Sequence, residues 1–373
     1  MHQFTRFLFL LALLLFCAAL AASCKKETAP VVTGPFRLAY AKGFKIEYLA
    51  GGCKLVTDGD GRKLVLCPRG RKPPAAHREL PVIYTPVRRV VILSASEAAL
   101  LRPLGELDSV VGVGTAEKDW TIEEMKKGLR EGRIVYLGET TAIDYERLVA
   151  LKPDVVFSYT RIMGADETVA KIRGLGVPVA VANEWLEEDP LGRLEWVKFL
   201  GAFYNKEGQA GTFFRAAEEQ VRAVTEKVQG LERPKVAWGN VFMGKVYVPR
   251  GDSYAARAIA MAGGDYVFKD LRGGGGSAQI TPEEFYARAK EADVLIYASS
   301  PKYGATSIAK VVEEAPLWAD LAPVKAGRVY CFTAEYWQAL DETAVQLADL
   351  AAIFHPDAFA GHKLRYFLKL PRE

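Results

Sequence analysis

The sequence predicts an α/β protein of two lobes. Each lobe has a central sheet flanked by helices. A long rigid helix joins them, a ligand cleft lies between them, and a small N-terminal β extension precedes them. Three observations carry this reading. A helix–strand unit, Ile143–Thr160 (IDYERLVALKPDVVFSYT), recurs as Ile280–Ser300 (ITPEEFYARAKEADVLIYASS). A stretch with helical periodicity and no strand signal, 187–229, separates the two copies. Short apolar runs on either side of it read as strands buried on both faces.

In the first copy Asp144 is the N-cap, Leu148, Val149 and Leu151 supply the apolar helix face, and Lys152-Pro153 ends the helix. Val155–Phe157 is the strand, followed by the polar and aromatic groups Ser158, Tyr159 and Arg161. In the second copy Thr281 is the cap, Pro282 suits the first helical position, and Glu284 completes a capping box. A glutamate follows the cap by two positions in both copies, Glu146 and Glu283. A repeat this far apart fits two similar lobes better than a solenoid.

With 373 residues, 50% hydrophobic and 25% charged, the chain can bury two full cores. The net charge of +4, from 49 basic and 45 acidic residues, comes without a basic stripe interleaved with aromatics, which argues against a nucleic-acid partner.

Residues 1–23 read as a secretory signal peptide: Arg6, then an apolar run Phe7–Leu20 too short to span a membrane, then Ala21-Ala22-Ser23. The small residues before Cys24 match a lipobox, making Cys24 the lipidation site, although Ala21 stands where leucine is usual; a plainly secreted protein cleaved nearby is the alternative. Residues 24–35 form a tether. Residues 36–85 form the β extension. Within it Cys53 and Cys67 flank the turn Asp58–Arg62; if that hairpin is centred on Asp60 they oppose each other within disulfide reach, and outside the cytoplasm the pair oxidises. Cys331, in an apolar run, reads as a buried free thiol.

The N-terminal lobe spans 86–186, with strands at Arg89–Leu93, Val110–Gly114, Ile134–Leu137, the opening unit, and Val177–Ala182. Ser94 and Glu97 form a capping box there. In the connecting helices, 187–233, Leu194, Val197, Leu200 and Phe203 share one face, and Phe213, Phe214, Ala217, Val221, Val224 and Val228 share another. The C-terminal lobe spans 234–373, with strands Lys235–Val241, Lys245–Pro249, Asp293–Tyr297 and Gly327–Phe332, a mobile Gly273–Gly276 loop, and a closing helix Asp341–Phe354.

Catalytic signatures are missing from the sequence. It holds no GxxxxGK[ST], no third glycine after Gly112-Val113-Gly114, and no GxSxG. His2, His77, His355 and His362 are too scattered for a zinc site. We therefore expect no catalytic residue and no protein-bound metal. Open α/β sheets bind ligands beyond the carboxyl ends of their strands. The candidates there are Tyr159 and Arg161 on one wall, and Trp238, Phe242, Arg250, Tyr297, Lys302, Tyr336 and Trp337 on the other. Their cations and rings suit a bulky, partly aromatic anion.

From Val87 to Phe354 the chain resembles the periplasmic substrate-binding proteins of iron-chelate and cobalamin uptake. The resemblance lies in VVILSASEAALLRPLGELDSVVGVG, LGETTAIDYERLVALKPDVVFSY, GGDYVFKD before ITPEEFYARAKEADVLIY, and GRVYCFTAEYW. It implies a monomeric, non-enzymatic, lipid-anchored component of an ABC importer, on the periplasmic or cell-surface side. Its partners are then a permease dimer with an ATPase, and the membrane only through the anchor. It implies that Glu146 and Glu283 dock on permease arginines, although an acid near a helix N-terminus is also favoured by about 0.3–1 kcal/mol. Cobalamin binders of the family carry tryptophans where this chain has Thr140 and, approximately, Ser277. Haem binders carry a tyrosine near Glu139. A ferric siderophore is the expected ligand, with a corrinoid or haem next. A metal-chelate-processing surface enzyme and a sensor subunit are the readings of other classes.

Overall fold

The computed structural model describes residues 37–373 apart from Met163 and Gly275. The signal peptide, Cys24 and the tether lie outside the described residues.

Strands β1 (Lys45–Tyr48), β2 (Lys54–Thr57), β3 (Lys63–Pro68) and β4 (Val82–Thr85) form the extension as one sheet in that order. The β2–β3 register pairs Lys54 with Leu66 and Leu55 with Val65. Those sums centre the hairpin on Asp60, and Cys53 and Cys67 are disulfide-bonded across it with Cα atoms 4.3 Å apart. The turn does more than reverse the chain. Gly59 N donates to Val181 O (2.8 Å), Val181 N donates to Asp58 Oδ2 (3.1 Å), and Asn183 Nδ2 donates to Gly59 O (3.0 Å). The extension thereby caps an edge strand of the first lobe, an edge that would otherwise present unpaired backbone groups.

The first lobe is a parallel sheet, β7-β6-β5-β8-β9, built from β5 (Val90–Ile92), β6 (Val110–Val113), β7 (Val135–Tyr136), β8 (Val155–Ser158) and β9 (Val179–Val181). The second lobe is mixed, β13-β11-β10-β14-β15-β16 with β12 beside β10. Its strands are β10 (Lys235–Phe242), β11 (Lys245–Pro249), β12 (Asp265–Tyr266), β13 (Ser277–Ile280), β14 (Val294–Tyr297), β15 (Val329–Phe332) and β16 (Phe367–Lys369). β12 and β16 are too short to show a period and β13 (SAQI) carries little apolar signal, so none is read from sequence; β16 forms by pairing antiparallel to β15 beyond the expected closing helix.

The repeated unit plays one physical role twice. Asp154 N donates to Arg89 O, and its carboxylate accepts from Arg88 N and Arg89 N at the start of β5. Asp293 N donates to Lys235 O, and its carboxylate accepts from Lys235 N at the start of β10. Each aspartate fixes the register of its strand against the first strand of its lobe. Asp144 caps the helix Tyr145–Ala150, accepting from Arg147 N; Thr281 caps Pro282–Ala289, accepting from Glu284 N. Within the first of these helices Leu148 is buried, but Val149 faces solvent rather than the core.

The connection is two helices, Pro190–Tyr204 and Glu207–Lys227, broken at Asn205 in the left-handed region (φ 56°). The one-face reading of the first helix is too narrow: all its residues but Arg193 are buried. It lies between both lobes and the extension. Phe44 packs on Trp196 and Phe199, and Phe157 on Phe203. Glu195, fully buried, accepts from the backbone amides of Ala39, Tyr40 and Ala41 and from Lys198 Nζ. Glu187 accepts from Lys42 N, Gly43 N and Trp196 Nε1. Lys54 reaches Ala202 O, Asn205 and Glu207 at the helix break. Buried carboxylates and a lysine are tolerable here because each finds several partners. Among the described residues no helix is long and apolar enough to cross a membrane.

Candidate functional site

The carboxyl ends of β5, β6, β8 and β9 meet those of β10, β14 and β15 across a cleft. Among the described residues three bridges span it. Arg102 Nε and Nη2 donate to the two Asp341 oxygens (2.7 and 2.6 Å), Lys302 Nζ pairs with Asp119 (2.6 Å), and Gln338 accepts from Thr121 N (2.8 Å) while donating to Asp119 O (2.7 Å). The bidentate guanidinium–carboxylate pair has the most restrictive geometry of the three.

Three cavities adjoin along this cleft. The first, about 580 Å³, lies between the lobes and is lined by Lys118, Asp119, Lys126, Ser300, Lys302, Tyr303, Glu335 and Trp337 among others. The second, about 320 Å³, is walled by Trp185, Trp238, Asn240, Tyr247, Tyr254, Ser277, Tyr336 and Trp337. The third, about 720 Å³, belongs to the second lobe, with Phe242, Met243, Tyr297, Tyr303, Glu314 and Trp337. Trp337 is common to all three. Its indole stands edge-on to Phe332, Tyr336 and Tyr303, and Tyr336 stacks flat on Phe332 at 3.9 Å. Among the described residues, Trp185 Nε1 and Ser300 Oγ are buried wall atoms with no protein partner.

The structure sorts the expected site residues. Phe242, Lys302, Tyr336 and Trp337 stand in the cavity walls. Trp238 and Tyr297 also contribute to walls but are almost wholly buried. Trp238 packs on Phe332 and Phe367, and the Tyr297 hydroxyl donates to Glu314. Burial, then Glu314, pushes the Tyr297 phenol well up, and burial does the same to Tyr336. Both phenols are therefore neutral hydrogen-bonding groups. Arg250 is a correction. Its guanidinium donates to Arg272 O and its amide to Gly276 O, so it organises the glycine-rich loop and lines none of the three cavities. Tyr159 and Arg161 are likewise outside those linings. The Tyr159 hydroxyl is bonded to Thr140 (2.9 Å), and Arg161 is an exposed left-handed residue (φ 62°) whose amide is held by Asp166.

Sequence reasoning missed Lys118, Asp119 and Trp185. All follow the carboxyl ends of β6 and β9, so applying the strand-end rule to every strand would have found them. Tyr247 and Tyr254 lie on and just after an antiparallel strand, where that rule gives no signal.

Glu146 and Glu283 are both exposed on first helical turns, and neither takes part in an ion pair among the described residues. Among those residues no group of three or more His, Cys, Asp or Glu could hold a metal ion.

Two α/β lobes around a buried helix, with a cavity-lined cleft at their strand ends, define a ligand-binding protein. The family pattern described as periplasmic binding protein matches residues 90–336, and the chain belongs to that family. It is 37% identical over 329 residues to an uncharacterized lipoprotein of Methanocaldococcus jannaschii, covering 85% of this chain and 78% of that one. It is 21% identical over 279 residues to an uncharacterized ABC transporter substrate-binding lipoprotein of Bacillus subtilis, covering 73% and 81%. Among solved structures, a periplasmic heme binding protein from Pseudomonas aeruginosa shares the fold, with a TM-score of 0.57 at 19% identity over 73% of this chain and 94% of that one. Like its lipoprotein relatives, the protein works on the periplasmic or cell-surface side of the membrane, held by a lipid anchor.

Proposed function

We propose that this protein is the substrate-binding component of an ABC importer that carries a ferric siderophore or a related metal chelate. Cys24 would carry the lipid, and Glu146 and Glu283 would dock on the permease. The observation that carries the ligand class is the lining of the contiguous cleft. Its second cavity is walled by seven large aromatics, Trp185, Trp238, Tyr247, Tyr254, Phe332, Tyr336 and Trp337. The first cavity sets three lysines against two carboxylates, one of which already pairs with Lys302. Rings offer area to a bulky chelate, and the cation excess matches an anion. Buried donors such as Trp185 Nε1 and Ser300 Oγ offer the few polar contacts that orient a ligand in an apolar pocket. Haem or a corrinoid is the second reading, favoured by the flat aromatic walls and by the heme-binding fold neighbour.

Thermal-shift screening tests this against ferric hydroxamates, ferric catecholates, haemin and cobalamins. One of these, at a hundred times its dissociation constant, should stabilise the protein by about 2.7 kcal/mol. Silence across all four classes would remove the metal-chelate reading.

A further inference from the structure

The three most exposed large apolar side chains among the described residues stand around one cavity: Met243 (84%), Tyr303 (63%) and Phe242 (61%). Two of them form the tip of the β10–β11 hairpin. Phe242 lies opposite Lys245, leaving a two-residue loop of Met243 and Gly244, both at positive φ (50° and 71°). This is the tight turn whose twist matches its strands, in which Asn, Asp or Gly is the easy occupant of the first position. Here a methionine is held there instead, its side chain in solvent. Every residue lining the third cavity belongs to the second lobe, so a ligand seated there would not be enclosed between the lobes.

The hairpin stands beside Glu283. β11 runs antiparallel to β13 with Val246 opposite Ile280. Lys245 at the hairpin tip is therefore level with Thr281, the cap of the helix that carries Glu283. The first lobe has a counterpart. Exposed Ile162 lies in the loop after β8, where Gly164 approaches Thr141 so closely that an added Cβ would meet its Cγ2 at 2.6 Å. Thr141 belongs to the segment leading to the Asp144 cap and Glu146. Each lobe thus carries an exposed apolar side chain in a loop that adjoins the segment leading to the cap of the helix bearing its exposed glutamate.

We infer that the Phe242–Met243 tip is a docking element for the transport partner, a protein surface that pairs a cationic group for Glu283 with an apolar socket. This rests on the proposal that the chain serves an ABC importer. The partner gains apolar contact that needs no rearrangement of the hairpin, since the turn is already fixed. Two such acid-plus-apolar contacts, one per lobe, match a partner with two similar halves.

The test is co-sedimentation of the full lipid-anchored protein with proteoliposomes holding its permease and ATPase, without added ligand. F242S/M243S should weaken binding about tenfold or more, as loss of exposed apolar anchors does at interfaces. F242L/M243L should restore it, and both variants should melt with the wild type. Undiminished binding by F242S/M243S overturns the inference. E146K/E283K separates the two levels. If it loses permease binding while F242S/M243S keeps it, only the hairpin inference falls. If E146K/E283K itself still binds, the docking proposal falls and takes this one with it.

Discussion

The two lobes start from the same unit and end in different chemistry. In both, a capped helix returns to a strand whose leading aspartate grips the first strand of the lobe, Asp154 on β5 and Asp293 on β10. The first lobe continues this parallel scheme throughout. Trp120 and Phe157 go into its core while Trp185 reaches the cleft, and its β8 strand end carries Ser158, Tyr159 and Thr160. The second lobe inserts an antiparallel hairpin beside β10, and its rings come out: Phe242 at the hairpin tip, Tyr303 and Trp337 beyond β14 and β15. Parallel units fix where a surface carboxylate stands. The antiparallel insert, free of a crossover helix, brings aromatic rings out to the strand ends.

Their attachment differs too. The extension is tied to the buried helix Pro190–Tyr204 by buried charge, through Glu187, Glu195 and Lys54. Phe157 of the first lobe meets the helix ring to ring at Phe203, and Tyr254 of the second lobe lies under the helix's Arg193 guanidinium. The extension is therefore part of the folded body, although it lies outside the matched residues 90–336.

If the lobes dock as equals, reversing either acid should cost the same. Glu146 and Glu283 are exposed, so E146K and E283K should leave the melting temperature and ligand affinity unchanged. Each alone should lower uptake severely and by a similar factor, and the two together should abolish it. Uptake measured in cells carrying each variant decides the matter. A large loss from one and none from the other would break the symmetry and leave one lobe as the anchor.

The next effect concerns attachment. Removing the Glu195 carboxylate leaves three backbone amides and Lys198 Nζ without it in a buried site. Breaking a buried charged network from one side costs about 3–5 kcal/mol. E195A should lower the urea midpoint accordingly, through the seam between residues 39–41 and the joining helix. A change under about 1 kcal/mol would mean that this segment is not held by the network.

Much of this was legible in the chain. Asp144, Pro153 and Thr281 announce helix ends by local chemistry, and the hairpin centred on Asp60 placed Cys53 opposite Cys67 because register follows turn position. What stayed hidden depends on distant partners. Glu195 and Lys54 look like surface charges until helix and extension meet. Arg250 looks like a ligand contact until its own loop folds back on it. β16 has three residues, too few to show a period, and exists because β15 offers it an edge. The cleft was read from strand ends, which is why its parallel part was half seen and Tyr247 and Tyr254 were not.

The smallest effect compares one motif in two settings. Glu97 and Glu284 stand three residues after the caps Ser94 and Thr281; the expected capping box is closed at Ser94, whereas at Thr281 the structure shows only the cap's bond from Glu284 N. Glu97 is buried, with Oε2 accepting from Ser94 N (2.7 Å) and Oε1 unpartnered. Burial first, then the neighbouring Glu184, raises its pKa well above the usual carboxylate range, against the Ser94 amide. Glu284 is exposed beside Arg288. The sign follows from linkage. Below the unfolded value of about 4.5 both states hold the Glu97 proton, and its contribution to stability is intact. As pH rises toward the raised folded value the unfolded chain releases the proton first, so stability declines, and above that value the contribution is lost. Glutamine keeps the acceptor for Ser94 N and removes the titration. Thermal melts across this range should therefore show E97Q more stable than wild type at alkaline pH, with the gap closing near pH 4. E284Q should track wild type throughout. A flat difference for E97Q would mean that Glu97 stays ionised in the fold, and that Arg193, which reaches Glu184 from the joining helix, neutralises both acids.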